Sequence, residues 1–200
     1  MEYIYDSAKG VEYARYYANY YSVREDKRLF YYDNNDCTNF CSQCVWAAYG
    51  GWLPGDDEPV IKENKERIKR NIRMIPSIWY GSGSFGGSGK WCRVVEFYDY
   101  LVSKKNNGPL ATKIYEGEWQ TLNPSIVNEG DVIQMVIKSY ASYRYGHCLY
   151  VTQRGNSLDQ IKICCHTYDR RDAPLSGFSN FSEEYTKLRV IRFQSADFIK

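Results

Sequence analysis

The spacing of the apolar residues changes about half-way along the chain, and this change limits the possible folds more than any other feature. In the first half they recur at three- and four-residue steps, and they predict four helices, at 7–22, between Asn35 or Asp36 and Gly50, at 61–73 and at 91–105. In the second half, short runs rich in β-branched and aromatic residues predict strands at 131–137, 147–153, 160–166 and 188–193. Helices followed by strands are typical of an α+β domain with an antiparallel sheet.

Length and charge exclude several classes of protein. The 200 residues, 44% of them hydrophobic, suffice for one globular domain, and no repeat or linker divides the chain, so we expect a single domain over 1–200. A formal net charge of +2 gives no basic face for nucleic acid. No apolar stretch approaches the ~20 residues that cross a bilayer, and the first residues have no signal-peptide pattern. We expect a soluble chain as given, which would be secreted or wall-associated if an export signal has been removed.

Three cysteines face one side of the second predicted helix. Cys37, Cys41 and Cys44 fall within ~40° of a common direction at ~100° per residue. Cys41 and Cys44 lie inside the helix and are best explained as small buried apolar side chains. Cys37 lies in the first turn, where free backbone N–H groups favour a thiolate, and His147 or His166 could supply a base from a strand. This arrangement suits Cys-His nucleophilic catalysis.

The same cysteines allow a different chemistry. Cys37, Cys41 and Cys44 have the C-x3-C-x2-C spacing that holds a [4Fe–4S] cluster in some enzymes. However, such cysteines lie in a loop, whereas this segment has the cap, the apolar stripe and the Gly-Gly stop of a helix. A zinc site would need a second ligand pair, which is absent. A metal or iron–sulfur protein therefore remains an alternative, and no metal is assigned.

A glycine-rich stretch, 81–89, lies between Trp79 and Trp91. It lacks the glycine and hydroxyl positions of a phosphate-binding P-loop. Its composition predicts a loop with the freedom of a lid, and we expect Trp79 and Trp91 to contact substrate.

A longer motif surrounds Cys37. The stretch Asp36-Cys37-Thr38-Asn39-Phe40-x-Ser42-Gln43 resembles the D-C-T-N-F-x-S-Q signature of the putative amidase domain family. Further pieces arrive in that family's order, among them Gly130-Asp131-Val132, His147 and His166-Thr167-x-Asp169-Arg170. The family comprises bacterial papain-like cysteine hydrolases, related to the CHAP and NlpC hydrolases and often associated with the cell wall.

The resemblance implies a papain-like fold and assigns roles to residues. Cys37 would be the nucleophile and His147 the base, with His166 as the third catalytic residue and Asp169 as its rival. The backbone N–H of Cys37 would form the oxyanion hole together with a neighbouring side chain. The candidate neighbours are Tyr31, Asn35, Asp36 and Gln43, although Asp36 could equally cap the helix. Gly146 stands where the family more usually has Asp.

The resulting expectation is a cysteine-dependent amide or peptide hydrolase that needs no cofactor. Its substrate would be a peptide or amide, with the stem peptide of peptidoglycan as the candidate from family analogy. The alternatives are a catalytically silent module of the same fold that binds wall peptide or a partner, and the metal protein considered above.

Overall fold

The computed structural model describes residues 1–139 and 144–198. Its helices are α1 (Ser7–Tyr17), α2 (Cys37–Ala48), α3 (Glu58–Lys69), α4 (Gly89–Cys92), α5 (Val94–Val102) and α6 (Ser176–Ser179), joined by short 3-10 turns. Its strands are β1 (Glu2–Tyr3), β2 (Leu110–Gly117), β3 (Val132–Ile137), β4 (Tyr145–Gln153), β5 (Lys162–Cys165), β6 (Arg170–Pro174), β7 (Tyr185–Gln194) and β8 (Ala196–Asp197).

Six strands form one open antiparallel sheet in the order β2-β7-β3-β4-β5-β6, and β1 pairs separately with β8. The predicted α+β class, with helices near the N-terminus and the sheet after them, is confirmed. Sequence periodicity missed β2 and β6. Their burial does not follow a strict alternation, because both are edge strands of the sheet.

Three predicted helices have different bounds. α1 ends at Tyr17 because the chain then turns, and the backbone N–H of Tyr20 donates to the carboxylate of Asp169. α3 begins before its predicted start, since Pro59 is favoured in a first helical turn. The helix predicted at 91–105 is broken into α4 and α5 at Arg93, whose φ of −111° and ψ of 131° are extended.

Helix α2 lies at the centre of the molecule, because every one of its residues is buried. Alternate residues of the strands divide between two apolar clusters, and α2 belongs to the cluster that includes Cys148, Tyr150 and Cys164. The other cluster, which includes Leu149 and Val151, covers the opposite face of the sheet. No helix in the described ranges has both the length and the apolar character needed to span a bilayer.

Candidate active site

The N-terminus of α2 lies where two strands separate. Pairing between β4 and β5 runs from Gln153 only as far as Tyr150, opposite Cys164. Beyond Tyr150 and Cys164 the two strands are no longer paired, and the start of α2 contacts both of them. The backbone N–H of Asp36 donates to Oγ1 of Thr167 at 2.9 Å, and Oγ1 of Thr38 donates to Sγ of Cys148 at 3.5 Å. The first turn of α2 is therefore held between the end of β5 and the start of β4.

Cys37 is the first residue of α2, and its side chain is 6% exposed. Hydrogen bonding with Cys148 and burial raise the pKa of the Cys37 thiol, whereas the charge and hydrogen bonding of His147 lower it. The first two effects outweigh the influence of His147. The net effect is a raised pKa of the Cys37 thiol, with the His147 imidazole close enough to influence it.

His147 follows an irregularity in β4. Met135 of β3 pairs with His147 and Val136 pairs with Tyr145, so Gly146 is an extra, bulged residue. The ring of His147 lies among the aromatic rings of Phe178, at 5.7 Å between centroids, and Tyr185, at 6.3 Å. These rings restrict the orientations that the imidazole can adopt.

His166 lies on the other side of the α2 N-terminus and binds Asp36. Its Nδ1 is 2.6 Å from Oδ2 of Asp36, and its Nε2 is 2.8 Å from the backbone oxygen of Tyr17. Both ring nitrogens are used, and neither partner is His147. The expected position of His166 beside His147 therefore differs from the structure, because β4 and β5 diverge before they reach the two histidines.

Asp36 occupies the N-cap position of α2 but does not cap the helix with its side chain. Oδ2 faces His166, and Oδ1 accepts from Nδ2 of Asn39 at 2.7 Å and from the backbone N–H of Asp33 at 3.3 Å. Burial raises the pKa of Asp36, and the hydrogen bonds and charge of His166, with the bond from Asn39, oppose that rise. The predicted cap is replaced by a buried Asp-His pair.

Asn39 completes this pair and was not among the predicted site residues. Its Nδ2 also donates to the backbone oxygen of Tyr31 at 2.8 Å, and its Oδ1 accepts from Nε1 of Trp91 at 2.6 Å. The motif D-C-T-N could have indicated the contact between Asp36 and Asn39, because the two positions are one helical turn apart.

The match to a known protein family covers nearly all of the chain. Residues 4–191 match the sequence model of the putative amidase domain. The chain belongs to the putative amidase domain family. Membership indicates a hydrolytic enzyme that acts on an amide substrate. Searches of curated proteins and of solved structures gave no match.

Within this amidase domain, the hydrogen bonds of the other residues proposed as oxyanion or support groups are made with residues other than Cys37 and His147. Oε1 of Gln43 accepts from the hydroxyl of Tyr13 at 2.8 Å, well inside α2. Oδ1 of Asp169 accepts from the hydroxyl of Tyr32 at 3.3 Å, which fixes the aromatic segment next to α1. Tyr31 is 41% exposed, and the backbone N–H of Tyr31 donates to the backbone oxygen of Ser82.

The two tryptophans expected to contact substrate are core residues of the amidase domain. Trp79 and Trp91 are both 0% exposed, with ring centroids 4.6 Å apart. The glycine-rich loop packs on Trp91, since a Cβ added at Gly81 would lie 2.5 Å from its ring. Gly81 and Gly87 form an antiparallel bridge. The expectation for the tryptophans was wrong because both are fully buried.

The cysteines of α2 lie among other buried cysteines, and Cys41 interacts with both Cys37 and Cys44. Cys41 and Cys44 are both fully buried, and Cys44 interacts with Cys164 while Cys37 and Cys41 interact with Cys148. Within residues 1–139 and 144–198, no group of three or more His, Cys, Asp or Glu side chains is arranged to hold a metal ion. The geometry of these donors gives no support to the metal alternative.

Proposed function

We propose that this protein is a cysteine-dependent amide or peptide hydrolase with a papain-like catalytic site, in which Cys37 is the nucleophile and His147 the general base. The observation that carries the proposal is the interaction of the His147 imidazole with the Cys37 thiol at the start of a buried helix. Membership of the putative amidase domain family supports the same reaction class.

The raised pKa of Cys37 fits a mechanism in which the proton moves during attack. His147 accepts the thiol proton as Sγ bonds to the amide carbonyl carbon, and the carbonyl oxygen becomes an oxyanion. The resulting imidazolium protonates the leaving amine as the C–N bond breaks, which leaves a thioester. Water then attacks the thioester with His147 as base, releasing the acid and restoring the thiol.

The first turn of α2 supplies stabilisation for the oxyanion. The N–H groups of a first helical turn have no partners within the helix and point away from its N-terminus. The backbone N–H of Cys37 is such a group, since the first bond within the helix is made by Phe40 to the oxygen of Asp36. We therefore assign the oxyanion to this N–H, and no side-chain donor is needed for the assignment.

Asp36, Asn39 and His166 are proposed as positioning residues, replacing the role of third catalytic residue first assigned to His166. They contact one another and the backbone of the preceding segment. Because Asp36 is joined directly to Cys37, these bonds fix the direction in which Sγ leaves the helix. Their loss would move Sγ relative to His147 without removing a reacting group.

The substrate class proposed from the family is cell-wall peptide, and digestion of purified muropeptides followed by mass analysis tests it. We expect wild type to release a product with one amide bond cleaved, and Cys37→Ala to release none. Cys92→Ala, which removes a half-buried thiol that the mechanism does not use, is the matched control and should cleave normally. Binding without cleavage by both wild type and Cys37→Ala would instead identify a catalytically silent module.

A further inference from the structure

Arg189 is a buried cation with no carboxylate of residues 1–139 and 144–198 within ion-pair distance. Its side chain is 6% exposed, and it forms no ion pair with any residue in the described part of the chain. Burial lowers the pKa of its guanidinium. Burying a charge is costly unless it is paired, so an unpaired buried arginine is a candidate functional group.

Among the described residues, the partners of Arg189 occupy both faces of the guanidinium and one of its edges. Its two faces are covered by the rings of Tyr98, with the centroid 3.3 Å from Cζ, and Tyr145, at 3.8 Å. Nε and Nη2 both donate to Oε1 of Gln134, at 2.8 and 2.6 Å. Nη1 has no hydrogen-bond partner among residues 1–139 and 144–198. The edge formed by Nη1 and the second N–H of Nη2 has the two-pronged geometry that carboxylates accept.

The nearest acid is already engaged. Glu116 pairs with Arg189 in the register of β2 and β7 and exerts a charge effect on it. However, one oxygen of Glu116 accepts from the hydroxyl of Tyr145 at 2.7 Å, and the other binds Lys113. Tyr98 and Tyr145 are themselves only half-buried, so the edge formed by Nη1 lies near the protein surface.

The register of the sheet connects Arg189 to the proposed nucleophile. Arg189 pairs with Gln134, and Gln134 pairs with Cys148 on the next strand. Nε2 of Gln134 donates to Sγ of Cys148 at 3.2 Å, and Cys148 interacts with Cys37. Two strand spacings separate Arg189 from Cys148, which is about 10 Å or three residues of extended peptide.

We propose that Arg189 is a specificity residue that binds a carboxylate of a peptide substrate, two strands away from Cys148, the neighbour of Cys37. The proposal rests on the hydrolase function proposed above, and it narrows the substrate to peptides that carry a free carboxylate. Tyr98 and Tyr145 hold the guanidinium plane in place, and Gln134 fixes its orientation.

Binding to a protein that cannot turn over tests this directly. The Cys37→Ala protein is titrated calorimetrically with the stem tetrapeptide L-Ala-D-Glu-L-Lys-D-Ala, with both carboxylates free, with each one amidated and with both amidated. Charge-assisted hydrogen bonds lead us to expect that amidating one of the carboxylates weakens binding about tenfold or more. Adding Arg189→Gln should reduce that preference to within about twofold.

Lys187→Gln is the matched control, because Lys187 is an exposed cation two residues earlier on the same face of β7. It should leave the preference for the free carboxylate intact. Equal binding of all the peptides, no binding of the free acid, or a preserved preference in folded Arg189→Gln would overturn the proposal.

A second variant covers the case in which Arg189→Gln does not fold. Arg189→Lys keeps the charge but cannot make a two-pronged contact, so the preference should fall several-fold, and an unchanged preference would contradict the proposal. Failure of wild type to cleave any stem peptide would count against the hydrolase but would leave this binding comparison valid.

Discussion

Oδ2 of Asp36 lies 2.6 Å from Nδ1 of His166, and both side chains are 2% exposed. The pair joins the residue before Cys37 to the turn after β5, where Oγ1 of Thr167 also accepts the backbone N–H of Asp36. The direction of the Cys37 side chain thus depends on contacts made by its neighbour in the chain.

Asp36→Asn should destabilise the protein, because both carboxylate oxygens of Asp36 take part in buried hydrogen bonds and the amide nitrogen of Asn would face one of the donors. We expect a loss of about 1–3 kcal/mol in the free energy of unfolding, measured by urea denaturation. Asp33→Asn, at an exposed position of the same loop, should change it by less than about 0.5 kcal/mol. Equal effects of the two substitutions would show that the buried pair has no special role.

Cys148→Ala should make Cys37 more reactive at neutral pH. Hydrogen bonding with Cys148 is the largest influence that raises the pKa of the Cys37 thiol, so its removal lowers that pKa and increases the thiolate fraction at a given pH. The rate of Cys37 alkylation by iodoacetamide, followed by mass spectrometry, should therefore rise at lower pH than in wild type. Cys164→Ala removes another buried thiol and should leave the profile unchanged.

His147→Gln should have the opposite effect on the same profile. His147 lowers the pKa of Cys37, so without it the alkylation rate should rise only at higher pH. Hydrolysis should fall by about 10²-fold or more with the loss of a general base. Tyr185→Phe keeps the ring that stacks on His147 and should retain both properties. An alkylation profile that does not move in His147→Gln would exclude a functional Cys-His pair.

Gly81→Ala should destabilise the fold, because its new Cβ would lie 2.5 Å from the buried ring of Trp91. Overpacking of this kind costs about 1–3 kcal/mol, measurable by thermal or urea unfolding. Gly89→Ala is the matched control from the same loop. Its Cβ would meet only the side chain of Arg93, at 3.8 Å, and Ala is favoured over Gly in the helix that begins there. A mobile loop that does not pack on Trp91 would tolerate both changes equally.

The sequence by itself determined the local elements and the chemistry of single residues. The turn residues before Cys37 and the Gly50-Gly51 stop placed α2 to within about a residue at each end. Apolar spacing also located the cores of β3, β4 and β7, where apolar runs coincide with central strands. The D-C-T-N-F motif led to the putative amidase domain family, whose match extends over residues 4–191.

Only the tertiary structure decided which side chains meet. The local sequence around Trp79 and Trp91 does not indicate whether these residues face solvent or the core. In the folded chain both are buried, and the glycine-rich loop packs on Trp91. His147 and His166 lie at the ends of predicted strands that are neighbours in the sequence. In the structure β4 and β5 diverge, and His147 interacts with Cys37 whereas His166 binds Asp36. The strand register depends on contacts between residues far apart in the chain, which local sequence patterns do not encode.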